Sequence, residues 1–284
     1  MIPADLLKKI RKIQITTAKK ATDIFAGEYK SVFKGRGLEF SEVREYLPGD
    51  PIHSIDWNVT ARMGKPFIKK FIEERELTIM LLLDVSRSNC FGSVNRLKRD
   101  LAAEVSAVLA SSASRNNDKV GLIVFTDRIE CFLPPAKGAK HLFRVIREAL
   151  YFKPEGKGTD IALCLEYMNR VVNKSTVTFL VSDFYAGDIK KALSIAGKRH
   201  DVIAVHISDP RDMELPDVGI VKLDDAETGE SYYIDTKDPE ARAEYTRKAL
   251  KKSEERKKLF YSVNMDRVQI NTDEPYDEAL MRFF

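Results

Sequence analysis

The fold class predicted for this chain is α/β: a mostly parallel sheet with helices on both faces, preceded by a small β-containing region. Two observations carry that prediction. From Glu76 onward, short runs rich in Val, Ile, Leu and Phe alternate with longer segments of helical period, the pattern of strands buried on both faces and joined by crossover helices. Two of those runs, in LLLDVSRS and FLVSDF, stop abruptly at carboxylates and hydroxyls. In an open parallel sheet the region beyond the C-terminal ends of the strands is where chemistry gathers.

Taken in order, residues 1–26 form the first segment. DLLKKIRKIQITTAKKATDIF spaces Leu6, Ile10, Ile13, Ala21 and Ile24 at helical intervals with lysines and Arg11 between them, which predicts an amphipathic helix packed on its own domain. Residues 27–75 are broken by Gly35, Gly37, Pro48, Gly49, Pro51, Gly64 and Pro66, so short strands and turns are expected there. Residues 76–284 form the main domain. Its predicted strands are Leu77–Val85, Lys119–Phe125, Thr176–Val181, Val202–Ile207 and Arg267–Ile270. The helices between and beyond them are predicted at Leu97–Ser112, Lys140–Tyr151, Ile161–Val172, Ile189–Lys198 and Pro239–Tyr261. Two hairpins interrupt the rhythm. VGLIVFTDRIECFLPP turns at Thr126-Asp127-Arg128 and adds an antiparallel edge strand, and VGIVKLDDAETGESYYIDT turns around Thr228-Gly229.

Composition excludes several classes. With 44% hydrophobic and 32% charged residues over 284 positions, the chain lies in the ordinary globular range. Its longest apolar run, Ile79–Leu83, is far short of the roughly 18 residues a membrane-spanning helix needs, and the N-terminus lacks an apolar signal core, so a cytoplasmic protein is expected. Cys90, Cys131 and Cys164 are odd in number and widely spaced, against a disulfide scaffold or a zinc site. Residues 1–80 hold 15 Lys and Arg against 11 Asp and Glu, so the whole net charge of +4 belongs to the front. No aromatic stacking positions accompany it, and nucleic-acid binding is not expected.

Three segments should meet near the strand ends: DVSRS, the GKGTD that opens a helix, and VSDF. Together they offer Asp84, Ser86, Ser88, Thr159 and Asp183, an all-oxygen set. A hard divalent cation wants such ligands, since magnesium prefers about six oxygens in octahedral geometry. Neutral hydroxyls leave much of the ion's charge uncompensated, so an open coordination position would attract an outside carboxylate. Each residue also has a plainer use. Ser86, Ser88 and Thr159 are ordinary helix-capping types, and Asp183 could be a simple loop aspartate.

Asp-x-Ser-x-Ser after a first strand, a Thr in a glycine-flanked loop and an Asp ending a later strand together resemble the metal-ion-dependent adhesion site of von Willebrand factor type A domains. That resemblance implies Ser86, Ser88 and Thr159 as inner ligands of Mg2+, or of Mn2+ or Ca2+, with Asp84 and Asp183 binding directly or through water. GRGLEFSEVREYLPGD and SIDWNVTARMGKPFIKKFIEERELTIMLLLDVSRS are similar to a bacterial family, domain of unknown function number fifty-eight, from about Ser31 to the C-terminus. Members commonly accompany AAA+ ATPases of the MoxR group. The resemblance therefore implies a non-enzymatic, cation-dependent adaptor or chaperone-like partner of such an ATPase, gripping an acidic side chain on a protein.

The rival is a metal-dependent, phosphatase-like hydrolase at the same oxygen site. A haloacid-dehalogenase-like mechanism needs a second Asp two positions after the first, where this chain has Ser86, whose hydroxyl cannot serve as that acid near neutrality. There is no GxSxG elbow for a serine nucleophile, and Tyr151 replaces the first glycine of a phosphate loop, so no catalytic residue is assigned. Trp57, the only tryptophan, is expected in the core of the small region. The charges of Arg36, Arg44, Arg62, Glu39, Glu42, Glu45 and Asp50 read equally as an interaction surface or as an ion-pair network.

Overall fold

The computed structural model describes residues 39–47, 50, 55–72, 77–94, 96–224 and 231–283. The amphipathic helix expected over residues 1–26 and the Thr228-Gly229 turn lie outside them. Two compact units are separated near Leu77, one of them spanning Lys30–Leu77.

In that smaller unit, β1 (Glu39–Glu45) pairs antiparallel with β2 (Phe67–Ile72), and α1 (Trp57–Met63) lies between them in sequence. Asp56 caps α1 by accepting from Asn58 N and Val59 N, and Gly64 ends it with a left-handed φ of 72°, the conformation glycine adopts most cheaply. The expectation for Trp57 is overturned. Its side chain is 66% exposed, because it opens a two-turn helix that buries none of its residues.

The larger unit holds a six-stranded sheet: β3 (Thr78–Asp84), β4 (Lys119–Phe125), β5 (Ile129–Ala136), β6 (Val177–Ser182), β7 (Asp201–Ser208) and β10 (Asp266–Asn271). Its order is β10-β7-β6-β3-β4-β5, parallel except for β5, the expected antiparallel edge. Pro134 and Pro135 lie on β5, where a missing N–H is tolerated. The remaining strands, β8 (Ile220–Asp224) and β9 (Ser231–Asp235), make the second hairpin.

The helices are α2 (Lys98–Arg115), α3 (Ala139–Tyr151), α4 (Ile161–Val171), α5 (Lys190–Gly197), α6 (Pro239–Ser262) and α7 (Tyr276–Phe283). Each of the five helices predicted for the main domain is present to within three residues at either end, and α7 is additional there. Ile79 to Leu83 are all fully buried, so β3 has no solvent face. Its Met80 and Leu82 join Ile123 and Phe125 against Leu165 and Met168 of α4, Leu193 of α5 and Phe260 of α6. The opposite face is covered by α2, rich in Ala and Ser and buried around most of its circumference, with α3 packed on it through Ala107 and Ile146. β3 is the central strand where connections leave for both sides of the sheet, which is why the residues following it sit at a natural crevice.

Candidate functional site

Asp84 ends β3 and is fully buried. Its two oxygens are engaged differently. Oδ1 accepts from Ser86 N at 2.9 Å, a tight turn that brings the next residues back over the strand end, and Oδ2 accepts from the Ser182 hydroxyl at 2.6 Å. Ser182 closes β6, whose Val181 pairs with Leu83, so sheet register alone sets this contact. Asp183 follows directly, fully buried, with Oδ1 accepting from Tyr185 N at 3.2 Å. Phe184 has φ 56°, costly for a residue with a side chain, and its N–H donates to Ser182 Oγ at 2.9 Å. Burial first, and then the neighbouring charge of Asp183, push the Asp84 carboxyl from 3.8 up to about 6.

The two serines are not helix caps. Ser86 precedes a short 3-10 turn, Arg87–Cys90, without capping it through its side chain, and α2 starts after Leu97 with no side-chain cap. Their hydroxyls lie 3.1 Å from one another, Ser86 buried and Ser88 half-buried. Asn89 Nδ2 lies 3.4 Å from Ser86 Oγ, while its Oδ1 is buried with no hydrogen-bond partner.

Thr159 is also not a cap. Asp160 fills that role for α4 by accepting from Leu163 N at 2.8 Å. The loop that carries Thr159 is pinned on both sides: Arg87 N donates to Lys157 O at 3.1 Å, and Asp160 N donates to Thr126 O at 3.0 Å. Thr126 follows Phe125, the register partner of Asp84. The loop is therefore held against the serine turn and the end of β4. Glu130 on β5 braces it by accepting from Gly156 N at 2.7 Å, Glu155 N at 3.1 Å and the Thr126 hydroxyl at 2.8 Å. Burial would raise that carboxyl's pKa, but these donors outweigh it and hold it low.

Of the five candidates, Asp84, Ser86, Ser88 and Asp183 come together at the ends of β3 and β6, and Thr159 lies on the loop tied to them. Glu130 and one further residue were missed by sequence reasoning. Lys98, the first residue of α2, is only 2% exposed. Its ammonium lies 3.0 Å from Asp183 Oδ2 and 3.3 Å from Asp212 Oδ2, with the rings of Tyr185 and Phe91 at 5.4 and 6.0 Å. Burial would lower its pKa, but the charges of Asp183 and Asp212 more than offset this and raise it, so it stays protonated. The preceding loop is anchored by Asp209, which accepts from Ser93 N at 2.9 Å, the Ser93 hydroxyl, and the Thr272 hydroxyl at 2.6 Å. No local signal marks Lys98: it opens a helix beside Arg99 and Asp100, and its partners Asp183 and Asp212 lie far along the chain.

Among the described residues, no group of three His, Cys, Asp or Glu side chains is placed to hold a metal ion, so any cation here would depend on the hydroxyls. The chemistry fits a hard divalent ion: an all-oxygen donor set, a carboxyl raised first by burial and then by the neighbouring charge of Asp183, and a buried amide oxygen left without a partner. Lys98 is the one feature of the cluster that opposes a second cation.

Several known proteins are similar to this chain. The uncharacterized protein Rv1480 of Mycobacterium tuberculosis is 30% identical, over 98% of this chain and 88% of its own. Among solved structures, an aerotolerance-related membrane protein from Bacteroides fragilis is 17% identical with a TM-score of 0.47, covering 73% of this chain and 98% of its own. The SpRpn10 VWA domain is 12% identical with a TM-score of 0.37, covering 72% and 93% respectively. Among the described residues no helix is long and apolar enough to cross a membrane. The sequence model of one family matches residues 42–255, three quarters of the chain, and the chain belongs to that family, described as protein of unknown function DUF58.

Proposed function

We propose that this protein is a non-enzymatic binding module that uses a divalent cation, Mg2+ before Mn2+ or Ca2+, to grip an acidic side chain on a protein partner. The observation that carries the reading is the Ser86–Ser88 hydroxyl pair, set between the buried Asp84 carboxylate and the Thr159 loop, with neither serine spent on capping a helix. Asp84, Ser86, Ser88 and Thr159 would hold the ion, with Asp183 adding its charge from the adjacent strand end. A bound ion would supply an electrophilic centre with an open position for a carboxylate oxygen. The remaining residues position this set: Ser182 orients Asp84, and Glu130 braces the Thr159 loop. The partner implied by the family resemblance is an AAA+ ATPase of the MoxR group or one of its clients.

Pull-down from native lysate with the full chain, in Mg2+ and in chelator, tests this. Capture of a specific protein in Mg2+, lost in chelator and in Ser86→Ala, is expected. A partner held equally well in chelator and by Ser86→Ala would overturn the cation-dependent grip. A phosphatase and esterase screen with Mg2+ or Mn2+ tests the absence of catalysis, and robust turnover abolished by Asp84→Ala would reverse that assignment.

A further inference from the structure

Lys98 is unusual on three counts. A lysine is almost never this buried unless paired, the first position of a helix disfavours positive charge, and α2 has no side-chain cap there to relieve it. Asp183 and Asp212 offset those costs. Removing charges from water is expensive, so a buried ion cluster of this kind is weak support for stability and needs another reason to exist. Here the cluster shares Asp183 with the candidate cation site: one oxygen, Oδ2, faces the ammonium, and the other accepts from Tyr185 N.

We infer that Lys98 is a tethered resident cation that occupies Asp183 and weakens divalent-ion binding at the Asp84–Ser86–Ser88 site, so that firm binding awaits the carboxylate of a partner. This rests on the reading of the site given above and adds how its occupancy is regulated. The ammonium, 3.0 Å from Asp183 Oδ2, offsets that carboxylate towards an arriving ion, while Asp84 is held by hydroxyl and amide donors instead. An ion arriving at neutral hydroxyls and one uncompensated carboxylate is held loosely. An incoming acidic side chain restores the missing charge, so ion and partner should strengthen each other's binding.

The test is calorimetric titration of the full chain with Mg2+ and, separately, Mn2+ in wild type, Lys98→Met and Asp212→Asn. Lys98→Met removes the competing charge and should bind the ion about tenfold or more tightly. Asp212→Asn removes a carboxylate that shares the ammonium, leaving more of its charge on Asp183, and should bind the ion more weakly. Opposite signs are what charge competition requires, since a merely structural role for the cluster would weaken binding in both. Should Lys98→Met fail to fold, Lys98→Gln, which keeps a polar group towards Asp183 without the charge, takes its place with the same expected sign. Affinities equal to wild type, or weaker in Lys98→Met, overturn the inference while leaving the cation site standing. No binding of either ion by any of the three chains overturns the cation site itself.

Discussion

Replacing Asp84 with asparagine isolates the electrostatics of the site. Raising that carboxyl from 3.8 to about 6 inside the fold means the native state binds its proton more tightly than the unfolded chain does. The sign follows: the ionised group destabilises the fold, by nothing below pH 3.8 and increasingly as pH rises towards about 6, reaching about 3 kcal/mol above it when no ion is bound. Asparagine cannot ionise, so that penalty disappears. It keeps the acceptor for Ser86 N but loses the bond donated by the Ser182 hydroxyl, which returns about 1 kcal/mol of the gain. Asp84→Asn should therefore be more stable than wild type by about 2 kcal/mol in chelator at about pH 8, or roughly 4–8 °C in midpoint for a domain of this size. Near pH 4 the difference should vanish or reverse. Urea denaturation of both chains at the two pH values measures it. With Mg2+ added at the higher pH, wild type should gain stability and the variant should not. A variant less stable than wild type in chelator at about pH 8, or one that still responds to Mg2+, would refute the assignment of Asp84.

Three other perturbations bear on the same structure. Ser86→Ala removes the hydroxyl at the centre of the cluster and should abolish measurable Mg2+ binding in calorimetry while leaving the fold intact; undiminished binding would remove Ser86 from the ligand set. Gly156→Ala would put its Cβ 2.0 Å from Thr126 Oγ1 and 2.1 Å from Asp127 Oδ1, so the Thr159 loop must shift. A loss of about 1–3 kcal/mol of stability together with weaker Mg2+ binding is expected, and unchanged ion affinity would argue against Thr159 as a ligand. His206, driven down to about 3 by burial and then by the charges of Arg256, Lys98 and Arg267, is neutral in the fold. Its stabilising share is present above its ordinary 6.5 and lost as pH falls below it, so His206→Gln should shrink the loss between about pH 7.5 and pH 5 by about 2 kcal/mol. An unchanged acid slope would contradict that environment.

The inner strands of the sheet were legible because they are apolar on both faces. Ile79–Leu83 and Val202–Ile207 leave no polar face to confuse the period, and the antiparallel β5 was marked by the Thr126-Asp127-Arg128 turn. α7 was not visible, since its eight residues span barely two turns and carry only two buried side chains, Tyr276 and Leu280. Trp57 misled because size and apolarity suggest a core, yet the helix it opens buries none of its residues. At the site, the five candidate oxygens could be named from local motifs, as each follows a strand or opens a helix. Lys98 and Glu130 could not. Their roles depend on contacts 85 and 26 residues away, to Asp183 and to Gly156, and such pairings carry no local pattern.

Diffraction from crystals of the full chain grown with Mn2+, read at the anomalous edge of the metal, tests the cation site most directly. The expected result is a single strong peak at coordination distance, about 2.2 Å, from Ser86 Oγ and Ser88 Oγ, beside Asp84 and within reach of Thr159. Well-ordered hydroxyls with no peak between them at saturating Mn2+, or a peak bound elsewhere on the chain, would contradict it.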